Sequence, residues 1–171
     1  MVPRGTGKRF GSVARLGGAR VFDGATSASY VELVGSAGAT VQAALFTAGV
    51  LLTVGAGAPP VRLSGLALDG QLRHTGGAAL YLDDCSFLRT ELAAHALPAL
   101  YVDAAVEGGR TELQGVRLEG LPAGALHVAG GTAVVRDSVL SSNNATRGAA
   151  ALINGGVVAF IRCYIERNKV T

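Results

Sequence analysis

The 171-residue sequence has no tryptophan, a single methionine and only 5% aromatic residues. Large rings therefore cannot dominate its core, which must be filled by small and branched aliphatics. Charge is also scarce, 16% against 49% apolar residues, and that balance excludes disorder for the chain as a whole. The two cysteines, Cys85 and Cys163, make no CxxC and no zinc-ligand spacing, which argues against a metal or redox centre and against any cofactor held by thiolates. The excess of basic residues is local. Arg4, Lys8, Arg9, Arg15 and Arg20 precede the first acid, Asp23, leaving ten basic against 12 acidic residues in the remainder. A body so nearly neutral offers no basic face for nucleic acid. Residues 1–22 read as a basic, disordered lead-in, and no charged stretch there runs into an unbroken apolar one, so no signal peptide is visible. Residues 33–61 carry no charge, yet GSAGAT (35–40), Gln42, Gly49 and GAGAPP (55–60) interrupt them. Buried strands separated by turns explain that run better than a membrane helix.

Glycine is abundant, at 25 residues, and its placement is periodic. Gly pairs recur at 76–77, 108–109, 130–131 and 155–156, each followed by a short apolar run. With an earlier member at 61–70, five units align: VRLSGLALDG, LYLDDCSFLRT, TELQGVRLEG, AVVRDSVLSSN and VAFIRCYIERN. One column holds Leu63, Leu82, Leu113, Val135 and Phe160. Two places on is a turn column, Gly65, Asp84, Gly115, Asp137 and Arg162. Then follow a small or apolar column, Leu66, Cys85, Val116, Ser138 and Cys163, and a large apolar one, Leu68, Phe87, Leu118, Leu140 and Ile165. A second series, ALYV (99–102), ALHV (125–128) and ALIN (151–154), suggests that Leu100, Leu126 and Leu152 stack.

Units of 20–30 residues with two short alternating segments and Gly turns indicate a solenoid. Helical repeats do not fit, because Gly interrupts every run long enough for a helix pair and no 3.6-residue stripe is present. A β-sandwich need not align column by column, and the leucine-rich pattern differs from this one. The fold expected is all-β: a right-handed, single-stranded parallel β-helix of about six coils over residues 23–171. Stacking at about 4.8 Å per coil requires like size and polarity in each column rather than identity, which explains repeats with so few shared letters.

The stretch GGTAVVRDSVLSSNNA (130–145) resembles the coils of right-handed parallel β-helix proteins, whose units often read GGxVxIxxSxFxxNxA. Residues 31–70 resemble their opening coils, and the resemblance spans about residues 30–168. It relates the chain to adhesin-like and pectate-lyase-like members of that fold. It implies a non-catalytic surface, adhesive or carbohydrate-binding scaffold, with a polysaccharide or cell-surface glycan as partner and an extracellular or cell-surface location. The alternative is a lyase or glycoside hydrolase acting on acidic polysaccharides. A degenerate fragment without activity is a third reading.

Such enzymes group carboxylates as acid and base or around a cation. The sole acidic pair here is Asp83–Asp84, and the Asn-Thr-Asp, Gly-His-Gly and Arg-Ile-Lys runs of polygalacturonase-like enzymes are absent. Asp84 falls in the turn column, where a structural role is expected. Asp137 and Arg162 occupy one column in consecutive coils and predict an exposed ion pair. His74, His95 and His127 share no ligand spacing, and His127 is expected to point outward. Cys85 and Cys163 share an inward column three coils or roughly 14 Å apart, and are expected to be free, buried thiols that pack as small hydrophobes. Asn144-Ala145-Thr146 is a glycosylation sequon in an expected turn. Segments 70–78, 88–98 and 103–110 depart from the pattern and read as loops, with a helical turn at 91–97. Arg73, His74, Arg89, Glu91 and Arg110 on those loops are the candidate binding residues. The last clear coil ends at Asn168 without a polar cap, which suggests a fragment of a longer protein or end-to-end self-association through that coil.

Overall fold

The alternation in the sequence becomes strands with one face in and one face out. In Val61–Ser64 (VRLS) buried and half-buried residues alternate, and in Arg110–Gln114 (RTELQ) Thr111 and Leu113 are buried while Arg110 and Gln114 are exposed. In a computed structural model, the described residues are 8–10, 14–16, 20–22, 31–35, 39–43, 48–76, 79–104 and 109–171. Among the described residues the protein is all-β, with one short helix.

Three parallel sheets are visited in rotation. The chain places β1 (Lys8–Phe10) in the first sheet, β2 (Ala14–Leu16) in the second and β3 (Arg20–Phe22) in the third. The circuit then repeats through β4 (Val31–Gly35), β5 (Thr40–Ala43) and β6 (Val50–Val54), and through β7 (Val61–Ser64), β8 (Ala67–Asp69) and β9 (Gln71–His74). Next come β10 (Ala79–Asp83), β11 (Ser86–Phe87), the helix α1 (Thr90–His95) and β12 (Leu100–Asp103), followed by β13 (Arg110–Gln114), β14 (Arg117–Glu119) and β15 (Leu126–Gly130). The later circuits are β16 (Thr132–Arg136), β17 (Val139–Ser141), β18 (Asn144–Ala145) and β19 (Ala151–Ile153), then β20 (Val157–Ile161), β21 (Tyr164–Glu166) and β22 (Lys169–Val170). β18 and β22 pair with each other as a fourth, two-stranded sheet. This is the architecture of a β-solenoid. Three short strands lie within the segment read as a lead-in, paired in parallel with β4, β5 and β6.

The stacked columns are present as read. Leu33, Leu63, Leu82, Leu113, Val135 and Phe160 are successive register partners across the first sheet. Leu68, Phe87, Leu118, Leu140 and Ile165 are successive partners across the second. Most of these side chains belong to one continuous buried cluster. All five members of the turn column, Gly65, Asp84, Gly115, Asp137 and Arg162, have positive φ between 49° and 65°. Gly and Asp tolerate that conformation best. Gly131, with φ of 84°, shows why one corner admits no side chain: a Cβ there would lie 2.8 Å from the Ala104 carbonyl oxygen.

Two expectations need correction. QLRH (71–74), read as part of a loop, is β9 of the third sheet, paired with β6 and β12. Its polar letters masked an inward alternation in which Leu72 and His74 face the core. The stacking of Leu100, Leu126 and Leu152 holds only for the first two. Leu126 partners Ala151, and Leu152 partners His127. The Gly corners at 130–131 and 155–156 are 25 residues apart, and that spacing, rather than the shared AL letters, sets the register of β19. The helical turn expected at 91–97 is α1, anchored by buried Leu92. Among the described residues, no helix is long and apolar enough to cross a membrane.

Candidate functional site

The candidate residues do not converge on one place. Asp83 lies on the outer face of β10, its Oδ2 3.2 Å from Arg62 Nε. Burial pushes the Asp83 carboxyl above its usual range, against the opposing pull of Arg62. Asp84 is exposed at the corner with φ of 50°. Arg110 is exposed on β13, paired with Glu112 at 2.8 Å. Arg89 is exposed at the start of α1, and the side chain of Glu91 lies outside the described residues. His74 is not outward. It is fully buried, with Nδ1 2.8 Å from Thr111 Oγ1. Its register partners are Val54 and Val102. A histidine flanked by valines in the interior can bind nothing in solution. Asn144 is exposed on β18, its Oδ1 accepting from Thr171 Oγ1 at 3.2 Å. Among the described residues no group of three or more His, Cys, Asp or Glu is arranged to hold a metal ion.

The corner ion pair forms. Arg162 donates from Nε and a terminal nitrogen to the two Asp137 oxygens at 2.6 and 2.7 Å, and Gln114 Nε2 donates to Asp137 at 2.7 Å. The Arg162 and Gln114 hydrogen bonds hold the Asp137 carboxyl down to about 2. Both cysteines are free, as expected, but only Cys85 is buried; Cys163, expected to be buried as well, is half-exposed in the circuit of β20 and β21. Burial pushes the Cys85 thiol up to about 11, so it stays protonated and unreactive.

One outer strip does bring polar and aromatic groups together. On the third sheet Arg73, Tyr101, His127 and Leu152 are successive register partners on β9, β12, β15 and β19. The Arg73 guanidinium sits 5.3 Å from the Tyr101 ring centre, and the Tyr101 and His127 rings meet edge to face at 5.1 Å. Asn154 Nδ2 lies 3.2 Å from His127 Nε2. Burial, then the nearby positive charge of Arg147, lowers the His127 pKa, with Asp103 pulling the other way. Beside His127 opens a groove of about 250 Å³, walled by Pro98, Pro122, Leu152, Thr146 and Arg147 among others. Arg73 was a candidate from sequence, and His127 was expected to face outward. Tyr101, Asn154 and Arg147 were missed. Reading QLRH as a loop hid the stacking of Arg73 on Tyr101, and the one-residue slip of β19 hid Leu152 and Asn154.

No family model, curated protein or solved structure matches the chain.

Proposed function

We propose that the chain is a right-handed, single-stranded parallel β-helix of about six coils from residue 23 onward, related to the adhesin-like members of that fold. In this reading it is a non-catalytic scaffold that binds a polysaccharide or cell-surface glycan outside the cell. Six strands of the first sheet from β4 to β20 support the coil number, and the strong preference of parallel crossovers for the right hand supports the handedness. The observation that carries the binding role is the Arg73–Tyr101–His127 file beside its groove. A rigid aromatic surface with hydrogen-bonding groups at its edge suits a sugar, which has an apolar face and a hydroxyl rim. Substituting Tyr101→Ala lowers affinity for a bound oligosaccharide at least tenfold while the circular dichroism spectrum is kept. Retention of no glycan on an array by the parent protein sinks the reading.

A hydrolase or lyase acting on acidic polysaccharides is the second reading. It is favoured by one observation, the raised pKa of Asp83 beside Arg62, since a rise is the direction that moves a carboxyl toward general-acid chemistry. Release of unsaturated or reducing ends from uronic-acid polymers would establish it in place of the first.

The proposal includes end-to-end association of copies through the last circuit. Ile153, Val157, Phe160, Tyr164, Ile165 and Val170, all on β19 to β22, are the exposed large apolar residues of the protein among those described. Strands β19, β20 and β21 each end their sheet, so one edge of their backbone is unpaired by any described strand. Light scattering detects this as a mass that rises with concentration. Ile165→Lys returns it to that of one chain, and a concentration-independent parent mass removes this part of the proposal.

A further inference from the structure

The arginines on the outside of the solenoid are not equivalent. Arg62, Arg110, Arg117, Arg136, Arg162 and Arg167 each meet a carboxylate within 3.5 Å. Arg147, in the turn before β19, has no such partner among the described residues, and neither has Arg73 on the same strip. No carboxylate lines the groove that Arg147 borders, whose other walls are Pro, Ala, Gly and Leu with Thr146 and His127. We propose that this groove is a subsite for an anionic substituent on the bound sugar, a carboxylate or a sulfate, held by the Arg147 guanidinium. The inference rests on the glycan-binding reading given above and adds the charge class of the ligand.

The chemistry is complementary on each side of the groove. A guanidinium presents a planar fork of N–H donors that matches the two oxygens of a carboxylate or a sulfate, and such charge-assisted bonds are stronger than neutral ones. Thr146 adds a hydroxyl on the same turn. His127, on the wall of the same groove, adds an imidazole that can hydrogen-bond a ring hydroxyl. Pro98 and Pro122 supply apolar walls that already have fixed backbone angles, so little order is lost when a ring settles between them. Arg73, two strands away along the stack axis and roughly 10 Å from the file position of His127, extends the positive strip in the direction a polymer would run.

The test is isothermal titration of the full chain with three oligosaccharides of one backbone: neutral, uronate-bearing and sulfated. Each is measured against the parent, Arg147→Gln and, as a control, Arg117→Gln, whose side chain is paired with Glu119 on the second sheet. Expected is at least tenfold tighter binding of one or both charged forms than of the neutral form. Arg147→Gln reduces that preference to less than twofold, and Arg117→Gln leaves it in place. The two charged arms say whether carboxylate or sulfate is the group held. Equal affinity for all three forms, or a preference that survives Arg147→Gln, overturns the anionic subsite while leaving glycan binding standing. Failure of every oligosaccharide, neutral or charged, overturns both. Arg147 lies exposed in a turn, so its replacement does not endanger the fold.

Discussion

Replacing Leu113 by alanine destabilises the protein by about 2–5 kcal/mol in denaturant titrations. Leu113 is 1% exposed, in the middle of the file that runs from Leu33 to Phe160. Its register partners are Leu82 on one side and Val135 on the other. Neither can move into the vacated space without leaving its own strand pairing, so the lost methyl groups become a cavity rather than a collapse. The same truncation at Phe160, 36% exposed in the last circuit, removes atoms that water already reaches and costs less despite the larger side chain. The ordering Leu113 above Phe160 is the decisive observable, since a contact gradient along one file is peculiar to stacked circuits. Equal costs at the two positions would contradict a single interior file.

Asn143→Ala produces a loss of about 3 kcal/mol in the same assay, through hydrogen bonding rather than packing. Asn143 is 1% exposed at the corner after β17. Its Oδ1 accepts the Leu121 amide at 2.9 Å, and its Nδ2 donates to the Leu118 carbonyl at 2.8 Å. Asn168, one circuit on, repeats the arrangement: Oδ1 accepts the Asn143 amide and Nδ2 donates to the Leu140 carbonyl. The corner breaks the sheet ladder, and these amides supply the partners that the backbone loses there. Alanine leaves the Leu121 N–H and the Leu118 carbonyl buried and unsatisfied. Asn168→Ala, at a half-buried position, lets water replace the missing bonds and is milder. A variant as stable as the parent would mean that the corner amides are redundant.

These two residues also mark what the sequence does and does not disclose. The file containing Leu113 is legible because apolar size repeats in a fixed place after each glycine or aspartate corner. The positive φ of Asp84, Asp137 and Arg162 is legible for the same reason, since each occupies the place of a glycine in another unit. The Asn143–Asn168 pair was open to view, 25 residues apart and three after the large apolar column, but hydrogen-bond need at a corner is not visible as a hydrophobic pattern. β9 was misread because His74 breaks the apolar inward series. Its polarity is accommodated by Thr111, which lies on another sheet and 37 residues away. The binding strip was the least legible part. Its members recur at unequal steps, from Arg73 to Tyr101, to His127 and to Leu152, because the intervening corners differ in length. Candidate residues chosen for lying outside the repeat were consequently dispersed over different faces.

The register pairing of neighbouring circuits carries a mechanical consequence. Between β16 and β20, and between β17 and β21, partners lie 25 residues apart along the chain. Tension that peels the circuit of β20 and β21 from the one beneath breaks these register pairs in turn, and every winding released pays out roughly 85 Å of extended polypeptide. The Arg162–Asp137 clasp and the Asn168–Asn143 amide bonds fasten the same two circuits at their corners, so both add to the force needed to part them.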